Sequence, residues 1–92
     1  MTATVRIPTQ LRTLTGGAGE VQVEGATVAE VLAALDGQFP GFGERVMDET
    51  GALRRFVNVF VADEDIRFLQ GLDTGITPGQ TISIIPAVAG GT

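Results

Sequence analysis

Gly25-Ala26-Thr27-Val28-Ala29-Glu30-Val31-Leu32-Ala33-Ala34-Leu35-Asp36-Gly37 is the stretch on which the reading of the fold turns. Thr27 and Glu30 have the S/T-x-x-E spacing of a capping box, in which side chains answer backbone N–H groups that the first helical turn leaves unpaired. Val28, Val31, Leu32 and Leu35 follow at i, i+3, i+4 and i+7, making one apolar stripe that has to lie on a sheet. Asp36-Gly37 and Pro40-Gly41 bracket the end of this helix. Residues 42–48 predict a second, shorter helix with Phe42, Val46 and Met47 turned inward.

Outward from the helix the apolar period changes to two. Ala3, Val5 and Ile7 alternate with Thr4 and Arg6, a half-buried strand that Pro8 ends. Residues 13–19, rich in Gly and Thr, read as a loop, and Val21 and Val23 alternate in a second strand that Gly25 closes. Residues 56–61 are β-branched or aromatic on both faces and predict an interior strand. Val57, Val59 and Val61 face the helix; Phe56, Asn58 and Phe60 lie on the other side. Asp63-Glu64-Asp65 has carboxylates spaced as in some calcium loops, but the twelve-residue pattern is missing. A hairpin turn in which Asp bonds its own backbone is the reading, with a short strand around Ile66 and Arg67 after it. Pro78-Gly79 turns the chain into a last strand over residues 81–85, and Pro86 ends it. The class is α+β: a mixed sheet of four to five strands covered by one main helix, with the first and last strands central. That arrangement is the β-grasp, and the pattern alone leaves a ferredoxin-like α+β fold open. Residues 1–86 form the domain and residues 87–92 a flexible C-terminal tail.

Composition narrows the chemistry. The 92 residues carry no Cys and no His, and all six basic residues are Arg. Thiolates, imidazole bases, lysine amines and the Cys and His metal ligands are therefore missing, so an enzyme is not expected and no metal site is predicted. A net charge of −5 speaks against nucleic acid or an anionic membrane as partner. No apolar run approaches the ~20 residues that span a bilayer, and the first residues lack a signal pattern, so a cytoplasmic protein is expected.

What remains is the ending Ala87-Val88-Ala89-Gly90-Gly91-Thr92. Gly has no Cβ, so such an arm can extend and enter a narrow channel that excludes side chains. A carboxyl at its tip can be activated as an acyl-adenylate by ATP, and sulfur can displace AMP to leave a thiocarboxylate. The bland alternative is a frayed terminus or a linker scar.

The run Gly79-Gln80-Thr81-Ile82-Ser83-Ile84-Ile85-Pro86-Ala87-Val88-Ala89-Gly90-Gly91 resembles the ending of the MoaD/ThiS family of sulfur carriers. Arg55-Phe56-Val57-Asn58-Val59, then Asp63-Glu64-Asp65-Ile66-Arg67, resembles the branch that serves cysteine formation. Val5-Arg6-Ile7-Pro8-Thr9 extends the likeness over nearly the whole chain. The resemblance implies a ubiquitin-like β-grasp body. It implies that a ubiquitin-activating-type adenylyltransferase activates Gly91 and that Ala87, Val88, Ala89 and Gly90 are inserted into the partner. It further implies sulfur transfer to a PLP-dependent cysteine synthase and release of cysteine by a zinc metallopeptidase. ATP and PLP belong to those partners, and no cofactor is expected on this chain.

In the family's active form the chain ends at Gly-Gly, whereas here Thr92 ties the Gly91 carboxyl into a peptide bond. The Gly91–Thr92 bond is then a processing site, or Thr92 is a cloning residue; both readings stand. Phe56, Phe60 and Ile85 are expected on the open sheet face as a partner-docking patch. Cover by residues 69–76 or by a dimer contact is the equal alternative. Arg54 and Arg55 read as solvated charges, with pairing to an acidic partner as the minor reading. The rival functions are a modifier joined to target lysines, the small subunit of a sulfur-inserting enzyme such as molybdopterin synthase, and a donor for thiamine, tRNA or metabolite thiolation.

Overall fold

The computed structural model describes residues 2–55 and 57–86. Phe56 and the expected tail, 87–92, lie outside the described residues. Strand β1 spans Thr2–Arg6, β2 Glu20–Glu24, helix α1 Val28–Gln38, α2 Phe42–Val46, β3 Val57–Val61, β4 Glu64–Asp65 and β5 Thr81–Pro86. The five strands form one mixed sheet in the order β2-β1-β5-β3-β4. β1 and β5 run parallel and every other pairing is antiparallel. With α1 on one face this is the ubiquitin-like β-grasp, and the ferredoxin-like alternative drops out. The first strand is interior and the last is the middle one, as their compositions predict.

The capping box forms. Thr27 Oγ1 accepts the Glu30 N–H at 3.2 Å, while Glu30 Oε1 reaches one residue further back and accepts the Ala26 N–H at 2.9 Å. Val28, Val31, Leu32 and Leu35 are all fully buried against the sheet. Four such side chains contribute on the order of 10 kcal/mol of apolar burial, an upper bound because the unfolded chain is already partly compact. Val57, Val59 and Val61 fill the same core, and so do Phe42 and Val46 from α2. Met47 is half-buried at its edge.

α1 ends at Gln38, within the bracket of Asp36-Gly37 and Pro40-Gly41, and the Asp36 carboxylate accepts the Gly43 N–H at 2.9 Å and so joins the end of α1 to the start of α2. Two other boundaries differ from expectation. The short strand expected around Ile66 and Arg67 is instead a 3-10 turn, Ile66–Phe68; the pairing belongs to Glu64–Asp65. Asp65 Oδ1 accepts the Arg67 N–H at 2.8 Å and Ile66 is buried, which curls the chain away from β3. The turn before it is a two-residue hairpin loop, with Ala62 at φ 51° and Asp63 at φ 71°, the paired left-handed conformation that matches strand twist. Pro86 continues β5 rather than ending it and pairs with Val57. Pairing of β1 with β5 has stopped at Ser83, so on that side the missing Pro N–H leaves no ladder bond unmade.

Gly25 does more than close β2. A Cβ there would stand 2.8 Å from Val31 Cγ2 and 2.9 Å from Val31 N, so the β2–α1 corner packs backbone against helix. Gly25→Ala should therefore lower stability by about 1–3 kcal/mol through overpacking. Thr27→Ala should cost about 1 kcal/mol through the lost cap. Urea unfolding of the two variants beside the parent measures both, and a Gly25→Ala protein as stable as the parent would contradict this packing.

Candidate functional site

β5 carries the chain out of the sheet at Pro86, opposite the first residue of β3. The groups around that exit come from the end of β5, the start of β3 and the turn after β4. On the face away from α1, side chains of ladder partners stand side by side. Ile85 is beside Asn58, and Phe60 lies between Ser83 and Asp65. Ile85 is 49% exposed and Phe60 half-buried, so two members of the expected patch are on the open face. Phe56 and the tail residues Ala87, Val88, Ala89, Gly90, Gly91 and Thr92 lie outside the described residues.

Arg67 reaches this corner from the 3-10 turn. Its guanidinium donates to Val57 O at 2.8 Å and to Asn58 Oδ1, so its plane is held across the first two residues of β3. Asn58 is the partner of Ile85, which places Arg67 on the apolar patch. Phe68 and Leu69 follow at 88% and 40% exposure. Arg54 and Arg55, just before β3, are exposed as well, and Arg54 Nε donates to Glu44 O at 2.7 Å. Among the described residues no carboxylate comes within ion-pair distance of Arg54, Arg55 or Arg67. Arg6 does pair with Glu20, at 3.5 Å.

Residues 69–76 do not roof the open face. The Val28 N–H donates to Thr74 O at 3.1 Å and the Ile76 N–H to Ala26 O at 2.9 Å, while Ile76 is buried. That segment closes over the N-terminus of α1, on the helix side. Sequence reading placed Arg67 in a short strand and within a resemblance, took Leu69 only as the start of the 69–76 segment, and passed over Phe68. The available signal was an apolar pair directly after Arg67, in a turn too short to bury both.

A shallow groove on the helix side is lined by Ala33, Asp36, Glu44, Met47, Asp48 and Arg54. Asp48 Oδ1 accepts from Thr50 Oγ1 at 2.6 Å, the Thr50 N–H at 2.9 Å and the Ala52 N–H at 3.2 Å. The Thr50 hydroxyl first, then the Ala52 and Thr50 amides, hold its carboxyl below the usual Asp value. The groove offers carboxylates and one guanidinium, with no group that would activate a nucleophile. Among the described residues no cluster of His, Cys, Asp or Glu is arranged to hold a metal, and no helix is long and apolar enough to cross a membrane.

Comparison with known proteins places this geometry. The model of the ThiS family matches residues 5–91. The chain belongs to the ThiS family. It is 48% identical to the sulfur carrier protein CysO of Mycobacterium tuberculosis over 99% of this chain and 100% of that protein. The CysO chain in the crystal structure of the Amycolatopsis orientalis BexX/CysO complex superimposes with a TM-score of 0.90 at 47% identity, over 97% of this chain and 99% of that chain. The small archaeal modifier protein 1 of Methanosarcina acetivorans, at 28% identity, gives a TM-score of 0.83 over 98% of this ThiS-family chain and 96% of its own.

Because the Asp48 carboxyl titrates below its unfolded value of 3.8, the stabilisation it brings is complete above that value. It is lost as pH falls through the lower, folded value. Asp48→Asn should reduce Tm at neutral pH and flatten the acid limb of the Tm–pH curve below about pH 4. An unchanged acid limb would remove Asp48 from the account.

Proposed function

We propose that this chain is a sulfur carrier whose Gly91 carboxyl is the acceptor and donor of the sulfur. The observation that carries the reading is likeness over nearly the full length to proteins named as sulfur carriers, with Gly90-Gly91 inside the family match. In the first step the freed Gly91 carboxylate attacks the α-phosphorus of ATP; a C–O–P bond forms and pyrophosphate leaves. Sulfide attacks the carbonyl carbon, and the C–O bond to AMP breaks; where a persulfide attacks instead, the acyl disulfide that forms is cleaved at its S–S bond by a thiol, which is oxidised to a disulfide. The product is a thiocarboxylate whose sulfur is a nucleophile at the end of an arm. The carbonyl chemistry is supplied by an adenylyltransferase of the ubiquitin-activating type, and this chain contributes the substrate carboxyl and a handle.

Ala87, Val88, Ala89 and Gly90 would be the residues inserted into the partner, with Phe56, Phe60 and Ile85 as the docking patch. Thr92 has to be removed before Gly91 can react, and a peptidase cutting the Gly91–Thr92 bond would do it. Formation of cysteine by a PLP-dependent synthase, with release by a zinc metallopeptidase, is the pathway that the likeness to CysO favours. A second reading is a protein modifier, supported by 33% identity to the small archaeal modifier protein 3 of Haloferax volcanii over 72% of this chain and 71% of that protein. With no Lys of its own, the chain as a modifier could not build lysine-linked polymers on itself.

Protein ending at Gly91, incubated with ATP, its adenylyltransferase and sulfide, should exchange one carboxyl oxygen for sulfur in the intact mass. The form retaining Thr92 should not. An inert Gly91 form would end the carrier reading. Recovery of the label in free cysteine would identify the pathway, and recovery as isopeptide on other proteins would favour the modifier.

A further inference from the structure

Three of the chain's six arginines stand close to the point where β5 leaves the sheet. The Arg67 guanidinium donates to Val57 O at 2.8 Å, and Val57 is the ladder partner of Pro86. Paired Cα atoms are about 5 Å apart, so that guanidinium lies within about 10 Å of the Pro86 backbone. Arg54 and Arg55 come just before β3, and a turn in which Arg54 O accepts the Val57 N–H at 3.0 Å keeps both near it. All three arginines are exposed.

Reach gives this placement a chemical consequence. Five residues, 87–91, follow Pro86, a span of at most about 18 Å that covers all three positions. It does not cover the start of β1, since Thr2 O accepts the Gly79 N–H at 3.2 Å, roughly 23 Å of strand away from Pro86. An acyl adenylate at Gly91 reacts with whichever unprotonated amine or thiolate it meets. A lysine in reach would add its nitrogen to the carbonyl carbon and expel AMP, leaving an amide that sulfide does not open. A guanidinium stays protonated at neutral pH and has no lone pair to offer. Among these cations a lysine would be more reactive than usual, because like charges nearby lower its pKa.

Resting on the carrier reading above, we propose that Arg54, Arg55 and Arg67 determine the selectivity of the activated terminus. They supply positive charge at the root of the arm without an amine that could capture the acyl group. With Lys, Cys and His absent from all 92 residues, external sulfur is then the strong nucleophile that the Gly91 carbonyl meets.

The test needs no partner enzyme. The chain ending at Gly91 is made as its mercaptoethanesulfonate thioester by intein cleavage, and its intact mass is followed at about pH 8, where a small fraction of lysine is unprotonated. The parent thioester should show only hydrolysis, and added sulfide should convert it to the thiocarboxylate. In Arg55→Lys the ε-amine attacks the carbonyl carbon, the C–S bond breaks and the thiol leaves with the amine proton. The product is a monomer one water lighter than the free carboxylate, with an isopeptide between residues 55 and 91 on peptide mapping. It should form about tenfold faster than any such product of Thr77→Lys, an exposed site at the far end of β5. Arg67→Lys should behave like Arg55→Lys; should it lower Tm through altered bonds to β3, Arg55→Lys, at an exposed turn position, carries the test alone. An Arg55→Lys thioester that lasts as long as the parent, or one that cyclises no faster than Thr77→Lys, overturns the proposal and leaves the carrier reading intact. A parent thioester that acylates itself overturns it as well. A parent carboxylate that never acquires AMP from its adenylyltransferase would end the carrier reading, and this proposal with it.

Discussion

Strand β5 is held between β1 and β3, and the remainder of the molecule depends on that double pairing. It joins Thr4 to Thr81 and Val59 to Ile84, contacts between residues distant in sequence. Closing such loops is unfavourable until something is buried by it. Ile82 and Ile84 supply the burial, for both disappear beneath α1. An isolated helix of 11 residues would be marginal in water, so α1 in turn depends on the sheet that β5 completes. Helix and central strand stabilise each other, and neither half of the chain has a core without the other.

This division of labour separates the two faces of the sheet. One face of the sheet and the whole apolar stripe of α1 are used for stability. The opposite face is left to Thr, Ser, Gln and ion-paired residues over most of its area, with apolar character confined to the corner where β5 departs. Reactivity, in the proposed function, resides in a carboxyl beyond the folded part. The folded part then has two tasks: presenting that end, and being recognised. Arg67, bonded to Val57 O and Asn58 Oδ1, ties the 3-10 turn to the start of β3.

The BexX/CysO complex structure and the small archaeal modifier protein 1 share this body closely, with TM-scores of 0.90 and 0.83, so the fold by itself does not choose between carrier and modifier.

Sequence alone determined the elements that local physics specifies. Thr27 with Glu30 marks a helix start in any context, alternation in Val57, Val59 and Val61 marks a buried face, and Pro78-Gly79 marks a turn, found here with Gly79 at φ 85°. The lack of Cys, His and Lys likewise decided which chemistries the side chains could not perform. The 3-10 turn at Ile66–Phe68, the continuation of β5 through Pro86 and the packing of residues 69–76 against α1 were settled by tertiary structure. Each depends on a partner distant in the chain, and no local period encodes that. The meeting of Ile85 and Arg67 at Asn58 belongs to the same class. Only strand register, fixed by which residues must be buried, brings position 85 beside position 58 and so within reach of Arg67.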